Sequence, residues 1–133
     1  MNSDKHIVDI LKGLKGGLIC DLTQLEDGIQ FRIHLPQKAS QRVEGSEHFL
    51  AKISHVKKFS LQPFRNASTT IQDLKQIEQL QLQIDNAEST DGALLKIWCR
   101  MGEGTADARL SVYAENFQIW DEAFDALHPS DFQ

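Results

Sequence analysis

What most constrains this chain is the alternation of apolar and polar residues with a period of two, broken by Asp-Gly pairs. Ile29, Phe31, Ile33 and Leu35 fall on every second position, and Asp27-Gly28 separates them from the strand-like run 18–25. An Asp-Gly pair between two such runs favours a tight hairpin, because both residues accept the backbone angles that the turn demands. Phe49, Ala51 and Ile53 alternate in the same way, and extended character continues through Leu61. Val56 breaks the alternation, so a bulge is expected near His55. Leu80, Leu82 and Ile84 form a further half-buried pattern, which Asp91-Gly92 links to the run 94–100. Leu110, Val112 and Ala114 then alternate, and Glu115-Asn116 is read as a turn into Phe117–Trp120.

Helical spacing occurs in three places. Ile7, Val8, Leu11 and Leu14 predict a helix over about residues 3–14, capped by Ser3 and stopped by Gly13, Gly16 and Gly17. Ile71, Leu74 and Ile77 predict a central helix ending near Gln79, with Ser68, Thr69 or Thr70 as its cap and Asp73 in its first turn. A short closing helix is expected to start at Asp121 and end before Pro129. Residues 36–46, with only Ala39 and Val43 apolar, read as an exposed loop. The order α, three strands, α, four strands, α, with short connections, predicts an α+β domain of mainly antiparallel β, barrel-like or two-layered. At 133 residues and 41% hydrophobic content the chain suits one domain.

No segment approaches the roughly 20 apolar residues of a membrane span, and the amino terminus reads as free of a secretory signal. A cytoplasmic protein is therefore expected, with Cys20 and Cys99 as buried free thiols inside apolar strand runs. The Asn66-Ala67-Ser68 triplet is then an accidental match to a glycosylation acceptor. A net charge of -5 argues against nucleic acid as the partner, since phosphate binding draws on a basic balance.

Motifs for chemistry are sparse. His6, His34, His48, His55 and His128 are scattered, and on a regular strand His48 and His55 point to opposite faces. A metal site there would need further ligands, for which Glu44 and Glu47 are the near candidates. No Ser sits in a nucleophile elbow, and neither Cys has a cationic setting. Gly13-Leu14-Lys15-Gly16 fits an RNA-clamping loop in spacing but follows a helix and precedes a strand, so it reads as a helix stop. Gly102-Glu103-Gly104 begins a dinucleotide fingerprint that fails at Asp107. No cofactor is expected.

Charge distribution carries the functional content. Residues 32–65 hold Arg32, Lys38, Arg42, Lys52, Lys57, Lys58 and Arg65 against Glu44 and Glu47. From Asp85 onward, ten acids face only Lys96, Arg100 and Arg109. Either the two segments neutralise each other in the fold, or the molecule is bipolar and its acidic end steers toward a positive partner. Tyr113, Phe117, Trp120, Phe124 and Phe132 crowd the same acidic end, a composition that suits an aromatic anchor ringed by acids. The expected function is therefore non-enzymatic binding of another protein with a basic surface, one form being an inhibitor or immunity-type protein. Asp121, Glu122, Asp125 and Trp120 are its expected contact residues. Two alternatives remain: a small-molecule carrier with an apolar pocket lined by positions such as Phe31, Ile33, Ile97 and Val112, and an enzyme whose site is assembled from distant residues.

Overall fold

Asp27-Gly28 does join two antiparallel strands, β1 (Leu18–Gln24) and β2 (Gly28–His34), with the Leu25 N–H donating to the Gly28 carbonyl at 2.8 Å. Glycine is required at 28 for room: a Cβ there would collide with the carbonyl of Ile53 on the next strand. The computed structural model describes residues 3–64, 69–89, 94–101 and 107–132. The Asp91-Gly92 turn, the Asn66-Ala67-Ser68 triplet, the proposed Ser68 cap, Arg65 and the Gly102-Glu103-Gly104 turn lie outside the described residues.

The remaining elements follow in chain order. α1 spans Ser3–Gly13, α2 Pro36–Arg42, β3 His48–Pro63, α3 Leu74–Gln79, β4 Gln83–Ser89, β5 Leu94–Arg100 and β6 Ala108–Trp120, and a 3-10 turn closes the chain at Pro129–Phe132. The fold is α+β, and the antiparallel strands among the described residues close into a barrel in the order β1-β2-β3-β6-β5-β4. Inward positions alternate along most of the strands, with Ser60 and Ser111 also buried between their inward neighbours, so Ile19, Phe31, Ile33, Phe49, Ile53, Leu61, Ile84, Ile97 and Leu110 pack into one core. Phe31, Ile33, Ile97 and Val112, the positions a carrier's pocket would use, are all part of that cluster.

Closure between β1 and β4 is short. It consists of the Leu18–Gln83 pairing and two flanking hydrogen bonds, Ile19 N–H to the Leu82 carbonyl at 2.8 Å and Ile84 N–H to the Gly17 carbonyl at 2.9 Å. Helices support the rest of this seam. α1 lays Ile7, Val8 and Leu11 against β4 and the core, joined by Leu14 just past its end, and α3 buries Ile77 while its Glu78 carboxylate accepts the Leu22 N–H at 2.7 Å. The Gly13–Gly16 stretch is the helix stop that its place between a helix and a strand suggested, with Gly16 at a φ of 91° and its N–H on the Ile84 carbonyl.

Among the described residues there are six strands where seven were expected, because Glu115-Asn116 is no turn: β6 runs through it, held along its length by β3. Burial on a long neighbour outweighs the weak turn preference of that pair. Residues 36–42 are a helix and not a loop. Pro36 starts it with a preset φ, and Ala39 is buried one turn after Leu35, which leaves an apolar stripe only one residue wide. α3 begins later than expected, with Asp73 as the actual cap: its carboxylate accepts the Lys75 and Gln76 N–H groups, while Ile71 pairs with Leu61 as a bridge. The strand read from Leu80 starts at Gln83. The bulge near His55 is present. His55 has a φ of 54°, its N–H reaches the Asp27 carbonyl at 2.7 Å, and the β3–β6 register shifts between Val56 and Lys58.

Candidate interaction surface

β6 leaves the barrel at Trp120, where the closing helix was expected. A tight turn stands there instead, made by an acid and two backbone bonds. The Asp121 carboxylate accepts N–H groups from Ala123 at 2.9 Å and Asp125 at 3.0 Å, and its other oxygen accepts from Arg42 Nε at 3.0 Å. Asp121 N–H bonds to the Asp125 carbonyl and Phe124 N–H to the Asp121 carbonyl, both at 3.0 Å. An aspartate that folds back onto nearby backbone N–H groups stabilises a turn over a helix. Beyond the turn, Ala126 bridges to Trp120, and Leu127 N–H returns to the Ile119 carbonyl.

Arg42 ties this turn to the 3-10 turn. Its Nη1 lies 3.2 Å from the Asp131 carboxylate, which also accepts the His128 N–H at 2.7 Å. That backbone hydrogen bond, aided by the Arg42 guanidinium, holds the Asp131 carboxyl below the usual carboxylate range. On the other side, Glu122 Oε1 lies 3.8 Å from His48 Nδ1, and the His48 ring stands edge-on to His34 with centroids 4.9 Å apart.

The turn presents Phe124. Its φ of 63° is left-handed, which is costly for a bulky residue, and the side chain is 74% exposed. Beside it a groove of about 770 Å³ crosses the outer face of β1, β2, β3 and the end of β6. Trp120, Leu50 and Phe124 form its apolar wall, and Arg32, Lys52 and Asp21 supply charge.

The expected contact residues therefore separate. Trp120 lines the groove, Asp125 is exposed and Glu122 is half-buried against His48, whereas Asp121 is only 3% exposed and is spent on the turn and Arg42. Sequence reasoning missed Phe124 as the exposed tip, along with Leu50, Arg32 and Lys52. Helical spacing of acids pointed away from the turn, and the signal that could have found it was Asp121 itself, an Asp whose side chain favours local backbone bonds. Of the other late aromatics, Phe117 packs edge-on to Phe31 at 6.1 Å, and a Cβ on Gly13 would overlap the Phe132 ring.

The basic and acidic segments are not at opposite ends. β3 pairs with β6 from Leu50–Trp120 to Pro63–Ala108, and Arg42 meets both Asp121 and Asp131. Among the described residues, no three of His, Cys, Asp and Glu gather closely enough to hold a metal ion. Cys20 and Cys99 are both unpaired. Cys99 is buried as expected, and burial pushes its thiol up to about 12, with Asp107 and Asp85 adding to the effect. Cys20 instead faces outward opposite Arg32 and is half-buried, its thiol raised by burial and Asp21. Compared with known protein families, curated proteins and solved structures, the chain finds no match in any of the three.

Proposed function

We propose that this protein acts by binding another protein through the Phe124 turn and the groove beside it, with no chemical step of its own. The observation that carries the reading is the effort spent on exposing one ring: a left-handed phenylalanine held out of the core by a buried carboxylate, two backbone N–H groups and a guanidinium. Strained backbone persists only where its surroundings over-determine it, and such places concentrate at binding sites. A large apolar side chain at the surface gains energy when a partner covers it, and Trp120 and Leu50 extend the apolar wall inward from that tip.

Glu122 and Asp125 neighbour Phe124 along the turn, while Arg32 and Lys52 line the groove beside it, so the partner is a protein that sets basic side chains toward the turn around an apolar pocket. An inhibitor or immunity-type role, covering the basic site of an enzyme, is one form of this chemistry. Asp121 supports the surface from beneath. A cytoplasmic setting agrees with the two unpaired thiols, since reducing compartments keep cysteines in that state.

The test is parallel capture from native lysate on immobilised wild type and Phe124→Ala. Phe124 is exposed, so the substitution leaves the core untouched. A partner retained by wild type and depleted tenfold or more by Phe124→Ala supports the reading; equal retention by both overturns it.

A further inference from the structure

A second constellation lies on the outer face of β5, the first half of β6 and the second half of β3. Residues 56–63 of β3, the whole of β5 and residues 108–113 of β6 carry Lys57, Lys58, Lys96, Arg100 and Arg109 and no Asp or Glu; Glu115, two residues beyond Tyr113 on β6, marks the end of the basic stretch. Phe59, Leu95, Ile97, Leu110 and Val112 point into the core, so Lys58, Lys96, Trp98, Arg109 and Tyr113 alternate onto the outside. Register lines them up, with Trp98 opposite Arg109, Arg109 opposite Gln62 and Tyr113 opposite Lys58.

Cations and rings interleave here. The Arg109 guanidinium lies 5.8 Å from the centre of the Trp98 ring, and its Nη2 donates to Gln62 Oε1 at 2.6 Å. The Phe64 ring leans on Trp98 with centroids 5.8 Å apart and is 45% exposed, while Lys57 Nζ sits 5.4 Å from the Tyr113 ring. The Nε atoms of Arg100 and Arg109 are both buried without a hydrogen-bond partner among the described residues. Two acids border the face from β4: Asp85 at 3.7 Å from Arg100 Nε, and Glu88 opposite Lys96.

We propose that this face binds single-stranded nucleic acid, independently of the Phe124 surface. Phosphates take the charge of Arg109, Lys58 and Lys96, and unpaired bases stack on Phe64 and Trp98. Cations alone would suit any anion. Rings set among them suit a strand whose bases are free to stack, which neither a duplex nor an acidic peptide offers. The net charge of -5 is not spread evenly, because strand alternation sets Lys58, Lys96 and Arg109 on this face while Glu122, Asp125 and Asp131 lie in the carboxyl-terminal turns.

The test uses anisotropy of a fluorescent twelve-nucleotide oligothymidylate at low salt, titrated with the full chain. Binding is expected, weakening as salt rises with a slope of about 0.7 per phosphate contacted. Lys58→Gln with Arg109→Gln should weaken it at least tenfold and lower the slope by about 1.4. Phe64→Ala, at an exposed ring, should weaken it about tenfold even at high salt, where charge is screened. Lys12→Gln, a cation on α1, should change it less than twofold. Thermal melts confirm that each variant is folded, and Trp98→Phe replaces any that is not. Absence of binding at low salt, equal binding by the double variant, or a polyglutamate peptide competing as well as unlabelled oligonucleotide overturns the proposal.

Discussion

At Asp121 one carboxylate closes a turn, caps two backbone N–H groups and neutralises Arg42 while almost fully buried. Asp121→Ala should therefore cost about 2–3 kcal/mol in denaturant unfolding, since it strips charged hydrogen bonds and leaves the Arg42 guanidinium facing Asp131 alone. A loss under about 0.5 kcal/mol would mean that the turn stands without it. The residue's acidity was legible in the sequence but its burial was not, because Arg42 lies 79 positions away and only the fold brings them together. Cys99 gives a prediction on pH. Its folded thiol is raised to about 12, above the unfolded value near 9.0, so the native state holds a proton that the unfolded chain releases. Stability from this group is complete below about pH 9 and is lost as pH rises toward 12, at up to about 1.4 kcal/mol per pH unit. Comparing unfolding of wild type and Cys99→Ala between pH 8 and 10.5 isolates it: the gap between the two should narrow as pH rises, and a constant gap would show that the thiol is not shielded.

Among elements, the strands were the most readable, because a period of two leaves only one face that can be buried. Ile33 and Ile97 came out fully inward as the alternation required, so Ile33→Ala or Ile97→Ala should cost about 2–5 kcal/mol in chemical denaturation. A cost below about 0.5 kcal/mol at both would mean that they do not fill the barrel. Gly28→Ala should also destabilise, by about 1–3 kcal/mol, because β2 and β3 must part to admit a methyl group against the Ile53 carbonyl. Less readable were α2, whose buried contribution is Ala39 alone, and the continuity of β6, which β3 imposes through its whole length. Local propensity decides an element only where no long neighbour competes for it. The bulge at His55 shows the opposite case, for Val56 breaks the apolar alternation at the place where the backbone turns left-handed.

For the whole molecule, charge was counted by segment in the sequence but is arranged by face in the fold. Pairing of β3 with β6 sets Lys52 on the same groove as Trp120, so the basic segment and the acidic end share one surface, and Arg42 is consumed by Asp121 and Asp131. The acids nearest Phe124 along the turn are Asp125, which is exposed, and Glu122, which is half-buried beside His48. If this turn is the docking point, the association rate of the captured partner depends on its charge, measured with wild type and with the Glu122→Lys, Asp125→Lys double variant across ionic strength. Rim charges act chiefly on encounter, so the variant should associate at least fivefold more slowly at low salt, and the two rates should converge above roughly 0.1 M, where the screening length falls to about 10 Å. Equal association rates at every ionic strength would mean that the partner docks elsewhere than on this turn.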